Sequence, residues 1–432
     1  MASRAPDAGN ASPLVPSARS TWWSVYERVR FALRLHGGDR ETAWGRAVVA
    51  DVLVVGGGPA GLVAARVAAE RGCDVLLVER DPAIGLPVRC GEGVGAKGIE
   101  EFLDPRNGEA PWVSRRITRV EFRSPNGSVV RVGHGDIGYV LDRSRFEPAL
   151  AEQTLAAGAS IRVGAEVTGL ERDGAWWLAR INGDEPVRAR IVIGADGVES
   201  MVGRWAGIDT RVRAKDMESC AQVLLDDVDI DPDAIVLHFG NEIAPGGYAW
   251  IFPKGPRSAN VGLGVVALRA RRNAMGYLDD YIGAAFPTGT RRDTTVGGVV
   301  VQTTVRSCVS DGLLLCGDSA HMINPLSGAG IVNGMKAGRM AGETAATALA
   351  AGDVSTRRLG EYHERWMELL GRDHERFYRV KEALGKFDDY FFDSLACSVN
   401  TIPEDKRTLR RIFCAALIEH PMLLPVLLRY FA

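Results

Sequence analysis

Val54-Val55-Gly56-Gly57-Gly58-Pro59-Ala60-Gly61-Leu62 is the stretch that decides the fold. The apolar run Asp51–Val55 before it predicts a strand, Gly61–Arg71 predicts a helix, and Val75–Glu79 predicts a second strand. Together they make a βαβ unit. Gly56, Gly58 and Gly61 supply a GxGxxG pattern, which says little alone but is specific between a strand and a helix. The glycines allow a tight turn and close backbone approach, so a pyrophosphate can rest on the helix N-terminus and its partial positive charge. Glu79 ends the second strand, where a carboxylate accepts hydrogen bonds from an adenosine ribose and repels a 2′-phosphate. The slot is therefore expected to take FAD or NAD rather than NADP.

Outward from this unit the pattern stays α/β. Phe146–Ala157 reads as a helix, and Ser160–Val163, Val167–Arg172 and Ala189–Ile193 read as strands. Between about 206 and 305, alternating strands such as Ile235–Phe239, Tyr248–Phe252 and Asn260–Val266 suit a mostly antiparallel sheet. Leu313–Cys316 is a further buried strand, and from about residue 338 the pattern is helical to the end. The expected architecture is a Rossmann-like cofactor-binding domain from residues 51–205 and 306–345. A mostly antiparallel β-sheet substrate domain is inserted at 206–305, and a C-terminal helical region covers 346–432. Residues 1–50 form an extension: a tail rich in Ala, Ser and Pro, then the aromatic and basic segment Trp22–Leu35. That segment reads as a short amphipathic helix, docked on the body or lying on a membrane surface, with a cleaved transit peptide as the remaining reading.

Composition narrows the function classes. The chain has 432 residues, 46% hydrophobic and 25% charged, which suits a soluble globular protein with a sizeable core. Its 52 basic residues nearly balance 54 acidic ones, so no global field draws it to nucleic acid. The seven cysteines form no CxxC, which points to free thiols in a reducing cytosol and to no metal centre. The most apolar stretch, Ile412–Phe431, is interrupted by Glu419, His420, Pro421 and Pro425 and is too broken to span a bilayer. Its end, Leu423–Phe431, offers an apolar ridge that can lie on one.

Two further turns repeat the strand-to-loop theme. One is Ile193-Gly194-Ala195-Asp196-Gly197. The other starts at Leu313-Leu314-Leu315-Cys316-Gly317-Asp318 and runs through Asn324-Pro325-Leu326-Ser327-Gly328-Ala329-Gly330-Ile331 into a helix. A carboxylate at a strand end can hold a ribityl hydroxyl. A helix N-terminus can set N–H groups beside the flavin N1/O2 edge, where reduced flavin carries its negative charge. Taken in order, the three turns resemble those of FAD-dependent oxidoreductases of the para-hydroxybenzoate hydroxylase type. More narrowly, Arg89-Cys90-Gly91-Glu92-Gly93 and Tyr248-Ala249-Trp250-Ile251-Phe252-Pro253 resemble the geranylgeranyl reductase family, and within it the archaeal digeranylgeranylglycerophospholipid reductases. The resemblance covers about residues 51–345 well and the helical tail more loosely.

The resemblance implies FAD as cofactor and assigns residues to it. Ala60 and Glu79 would contact its adenosine-pyrophosphate part, and Val167 the adenine. Cys90, Gly91 and Gly93 would lie along the isoalloxazine, and Arg143 would reach the cofactor from its helix. Asp318, Gly330 and Ile331 would meet the ribityl chain and the pyrimidine edge. Tyr248, Trp250 and Phe252 alternate along one strand and so share a face. That face either packs on a core or, as the resemblance implies, lines an isoprenoid site. Lys254 and Arg257 just beyond it are ordinary loop charges or contacts to a phosphate head.

The implied reaction is saturation of geranylgeranyl double bonds by hydride from reduced FAD. Cys90 is the expected catalytic residue against the ring, with close packing on the flavin as its other reading, and Glu92 is a second candidate for the proton. His321 and Asn324 read as loop-shaping. No second GxGxxG follows a strand and opens a helix, so electrons are expected from NAD(P)H binding transiently or from a small redox protein. The expected location is cytoplasmic, peripheral on the inner face of the membrane. The rival readings are a flavin monooxygenase on a hydrophobic substrate and a non-catalytic prenyl-lipid carrier.

Overall fold

The computed structural model describes residues 40–407, apart from 43–44, 106–109, 134 and 136, together with residue 411. The expected helix at Trp22–Leu35 and the ridge Leu423–Phe431 lie outside the described residues. The first sheet is built on β1 (Gly45–Val55), which starts earlier than the sequence suggested and forms a hairpin with Arg40–Thr42. Helix α1 (Pro59–Glu70) returns the chain to β2 (Val75–Val78), parallel to β1. Helix α2 (Arg143–Ala156) then leads to β3 (Ser160–Arg162), parallel to β2. An antiparallel excursion, β4 (Val167–Asp173) and β5 (Trp176–Ile181), feeds β6 (Val187–Gly194), which lies parallel to β1 on its other side. The short strand Leu313–Leu315 adds itself parallel to the end of β6. All four residues of β2, and Val52, Leu53 and Val54 of β1, are buried, as strands covered on both faces must be.

The second sheet has seven strands and carries the substrate-side residues. It comprises β7 (Met217–Asp226), β8 (Ala234–His238), β9 (Tyr248–Pro253), β10 (Ser258–Val266) and β11 (Thr290–Val300). Two more strands, Arg119–Arg123 and Val129–Val132, complete it from outside the expected 206–305 segment. Pairing is antiparallel except between β8 and Arg119–Arg123, which are parallel. One face is the core: Ala221, Val223, Leu225, Ala249, Ile251, Val261 and Leu263 are buried against helix Ala274–Ala285. A small third sheet, Gly93–Gly95, Val113–Ile117 and Gly138–Leu141, connects the two.

The last parallel strand leads through the glycine-rich loop into α3 (Ile331–Ala350), the helix expected after that loop, which runs past the expected boundary at 345. It packs on α1 through glycine. A Cβ on Gly338 would lie 2.2 Å from the Ala60 carbonyl oxygen, and one on Gly342 would lie 2.5 Å from that of Ala64. Helix Thr356–Trp366 then anchors the C-terminal region, with the Tyr362 hydroxyl donating to the Leu315 carbonyl at 2.8 Å and Trp366 Nε1 to Thr304 at 2.9 Å. Helix Asp389–Asn400 ends over the second sheet, its Ala396 and Val399 against Val130. The described residues form one compact unit. Among them no helix is long and apolar enough to cross a membrane.

Candidate cofactor and substrate site

Strand register brings the sequence motifs into one row. Leu315, Gly194, Val55 and Val78 are successive partners across the first sheet. The next residues along each strand are Cys316, Ala195, Gly56 and Glu79. All three glycine-bearing turns and the carboxylate therefore emerge from the same carboxyl edge, where open α/β sheets bind ligands. The fit between them is tight. Gly56 has φ +112°, and a Cβ there would lie 2.2 Å from the Ala195 carbonyl oxygen. Ser319 Oγ donates to the Gly194 and Cys316 carbonyls at 2.8 and 2.9 Å and ties the third turn to the second. Asp196 accepts from the Met201 and Val202 amides at 2.8 and 3.0 Å, so its motif starts a helical turn.

Two helix ends in this row are bare. Helices α2, Ala274–Ala285, Thr356–Trp366 and Asp389–Asn400 each begin under a side-chain cap, from Asp142, Asn273, Ser355 and Asp388. Helices α1 and α3 begin at Gly58 and Gly330 with no side-chain cap. Their first N–H groups have no side-chain acceptor and carry the helix's partial positive charge. A Cβ on Gly58 would meet nothing within 4 Å, so a ligand can approach that backbone. Asp318 lies beside the second bare end, its Oδ1 3.4 Å from where a Gly330 Cβ would be. Burial pushes the Asp318 carboxyl above its ordinary value while Arg143 pulls it back. Glu79 accepts from the Gly57 and Asp81 amides at 2.5 and 2.8 Å, which fixes its carboxylate at the turn. The Ala165 amide donates to the Glu79 carbonyl at 2.8 Å, which draws the segment leading to Val167 to the same end. A diphosphate between the bare helix ends, a ribose at Glu79 and a polyol at Asp318 fit these residues.

The loop Cys90–Gly93 joins this cleft to the second sheet. A Cβ on Gly91 would lie 2.9 Å from the Phe252 ring and 3.3 Å from Trp250 Nε1, and one on Gly93 would lie 3.0 Å from Phe252. Both glycines are thus required by the aromatic strand beneath them. Asn260 clamps the pair: its side chain donates to the Cys90 carbonyl at 3.2 Å and accepts from Trp250 Nε1 at 3.1 Å. Burial pushes the Cys90 thiol up, with Arg143 acting against it, and Sγ accepts from the Glu92 amide at 3.2 Å.

Glu92 adopts the left-handed region, φ +71°, and is 4% exposed. Its carboxylate accepts from Lys254 Nζ at 2.7 Å and from the Arg143 amide at 2.8 Å. This corrects two expectations. Lys254 is an internal ion-pair partner, neither a loop charge nor free for a headgroup, and Glu92 is spent on holding the loop. The Arg143 guanidinium pairs with Glu147. Removing one member of a buried pair costs about 3–5 kcal/mol. Denaturant unfolding of Lys254→Met at neutral pH should show a loss of that size, and adding Glu92→Gln should restore most of it.

Along β9, Tyr248, Trp250 and Phe252 are half-buried while Ala249 and Ile251 are buried. The aromatic side therefore faces away from the core, and the reading in which those rings pack on it is set aside. Centroid spacings of 6.2 Å from Phe252 to Trp250 and 6.2 Å from Trp250 to Tyr248 continue at 6.0 Å to Phe239 and 5.8 Å to Phe392 of helix Asp389–Asn400. The Tyr248 hydroxyl donates to the Ser327 carbonyl at 2.6 Å, closing the sheet onto the loop before α3. Asn324 shapes that loop, accepting from the Leu326 and Ser327 amides at 2.9 and 3.3 Å. His321 is buried with φ +57° at the preceding turn. The sequence alone assigns no site role to Asn260, Phe239 or Phe392. Asn260 pairs opposite Phe252, a neighbour that strand register alone supplies.

This edge, with its two bare helix ends and an aromatic sheet closing over it, defines an FAD-dependent oxidoreductase. Residues 51–234 match the family model described as FAD dependent oxidoreductase, and residues 216–300 match the geranylgeranyl reductase catalytic domain. The chain is 39% identical over 383 residues to the digeranylgeranylglycerophospholipid reductase of Methanocella arvoryzae, covering 87% of this chain and 97% of that protein. To the protein of that name from Methanosarcina acetivorans it is 44% identical over 365 residues, covering 82% and 89%. The crystal structure of a geranylgeranyl bacteriochlorophyll reductase-like protein from Thermoplasma acidophilum superposes with a TM-score of 0.82 at 32% identity, covering 88% of this chain and 99% of that one. The chain belongs to the geranylgeranyl reductase family.

Proposed function

We propose that this protein is an FAD-dependent reductase that saturates the double bonds of geranylgeranyl chains carried on a lipid. The observation that carries the reading is the seating of the Cys90–Gly93 loop on Trp250 and Phe252, which sets an apolar aromatic face against the cofactor cleft. An isoprenoid chain has no polar handle along its length, and such a face binds it by burial alone.

Bound FAD, when reduced, supplies the hydride. In our assignment the bare ends of α1 and α3 hold its charged groups, with Gly56, Gly58, Ala60 and Gly61 at the pyrophosphate and Glu79 and Val167 at the adenosine end. Asp318, Gly330 and Ile331 meet the ribityl and pyrimidine parts, and Cys90, Gly91, Gly93 and Arg143 line the flavin side. An isolated trisubstituted alkene has no carbonyl to polarise it, so cationic character builds as it is protonated. The ring faces of Trp250 and Tyr248 stabilise that charge in a water-poor cleft. Electrons come from NAD(P)H docking transiently or from a small redox protein. The lipid substrate places the enzyme in the cytoplasm, against a membrane surface.

The test is anaerobic. Protein reduced with dithionite and given a geranylgeranylated lipid should reoxidise, with product mass rising by two hydrogens for each double bond. Flavin that stays reduced until air enters, with a product heavier by one oxygen, would assign the chain to monooxygenases instead.

A further inference from the structure

Strand β7 alternates in burial from Cys220 to Asp226. Ala221, Val223 and Leu225 enter the core, while Glu218, Cys220 and Gln222 are half-buried on the aromatic side. Register fixes their neighbours: Gln222 and Trp250 both pair with Gly262, and Cys220 and Tyr248 both pair with Gly264. Glycine at 262 and 264 leaves the space above them to the flanking side chains. A Cβ on Gly264 would lie 3.1 Å from Glu218 Oε2 and 3.2 Å from Cys220 Sγ, so the carboxyl reaches over β10 toward Tyr248. On the other side Glu218 pairs with Val299, which lies against Gly328 in the loop entering α3. Glu218 thus stands between the aromatic strand and the loop before the bare helix end. Among the described residues its carboxyl has no hydrogen-bond or ion-pair partner, and the role of holding the loop falls to Glu92.

We propose that Glu218 is the acid that delivers the proton to the substrate alkene. The assignment rests on the reductase reading above. The carboxyl O–H bond breaks and its proton forms a new C–H bond with the alkene π pair. The other alkene carbon receives a hydride equivalent, two electrons and a hydrogen, from the reduced flavin cofactor. Glu218 is left as carboxylate and regains a proton from water.

The surroundings single out this group. Lys381, from helix Arg372–Leu384, is the charge that acts on it, and its Nζ is committed to Asp216 and the Val301 carbonyl, both at 2.8 Å. Asp216 is itself saturated by Arg213, Tyr378 and Lys381. Tyr248, Cys220 and Cys90 face the same space, and Val266 and Val299 flank it on β10 and β11. Burial pushes Glu218 up to about 7, against the pull of Lys381. It pushes Cys220 up to about 12 and moves Tyr248 and Cys90 above their ordinary values. Of these four groups, only Glu218 is moved toward neutrality, where an acid is both protonated and willing to give the proton.

The holoprotein carrying Glu218→Gln tests this. Stopped-flow reoxidation of dithionite-reduced protein by the geranylgeranylated lipid should slow by about 100-fold or more. FAD content and lipid binding should stay at native values. The native rate should fall as pH rises through about 7, because the proton is then lost, and the variant should show no such limb. Glu218→Asp should recover part of the rate. Independently of turnover, infrared titration of the oxidised holoprotein should show a protonated-carboxyl band that disappears near neutrality in the native protein and is missing from Glu218→Gln. A variant within about fivefold of the native rate, or the absence of that band from the native protein, overturns the assignment. A native protein that the lipid never reoxidises overturns the reductase reading, whereas a native protein that turns over and a Glu218→Gln variant that works equally well overturn only the role of Glu218.

Discussion

A Gly58→Asp protein should fold at least as well as the native chain and purify without FAD. Gly58 has φ −76° and ψ 178° at the start of α1, extended backbone that any residue adopts, and a Cβ there meets nothing within 4 Å. Aspartate is among the best residues for that position, because its carboxylate accepts from the first free N–H groups of the helix. Those are the groups assigned to the pyrophosphate. Like charges ~4 Å apart repel by about 4 kcal/mol at the dielectric of a protein surface. That corresponds to about a thousandfold in Kd. Flavin absorbance per chain and the melting temperature measured against FAD-stripped native protein read the two effects separately. A variant that stays yellow at full occupancy would show that the pyrophosphate does not rest on α1.

Gly338→Val should give the opposite pattern, a chain that fails to fold at all. Its Cβ would fall 2.2 Å from a backbone oxygen of α1, not from the end of a flexible side chain, so the helices must part along their length. Overpacking a core ordinarily costs about 1–3 kcal/mol, and a clash between backbones exceeds that range, consuming much of the ~5–15 kcal/mol by which a native domain is stable. Soluble yield and denaturant midpoint measure the effect. Gly283 is the control, an exposed helical glycine whose Cβ would meet nothing within 4 Å. Gly283→Ala should stabilise by about 0.5–1 kcal/mol. A soluble Gly338→Val protein with a native midpoint would mean that α1 and α3 are not pressed together as described.

The cofactor edge was legible because its signals are local. A strand, a glycine turn, a helix and a second strand in succession announce themselves within about thirty residues, and Gly56, Gly58, Gly61 and Glu79 needed no distant partner to be recognised. The strands at Val113–Ile117 and Arg119–Arg123 were missed for the converse reason. Their burial hardly alternates, and Arg115, Arg116, Arg119 and Arg123 interrupt the apolar pattern of strands that are half-covered. Glu218 escaped for a different cause. The alternation of Ala221, Val223 and Leu225 could have marked its strand, but nothing in the chain says that the polar side of that strand faces a cleft rather than solvent. Lys254 is similar: its partner Glu92 is far off in sequence, and the bond between them exists only once the third sheet has brought the loop over β9.

The bare ends of α1 and α3 have a consequence for the protein before it ever meets a lipid. At four other helix starts among the described residues Asp142, Asn273, Ser355 and Asp388 complete the end from within. In our assignment the cofactor completes these two starts from outside, so loading and maturation become one equilibrium. A cofactor present at ~100 times its Kd adds about 2.7 kcal/mol to the stability of the chain that holds it. A cell short of that cofactor would therefore keep less of the enzyme as well as a less active one, because the unloaded chain opens more often and is the form that proteases find.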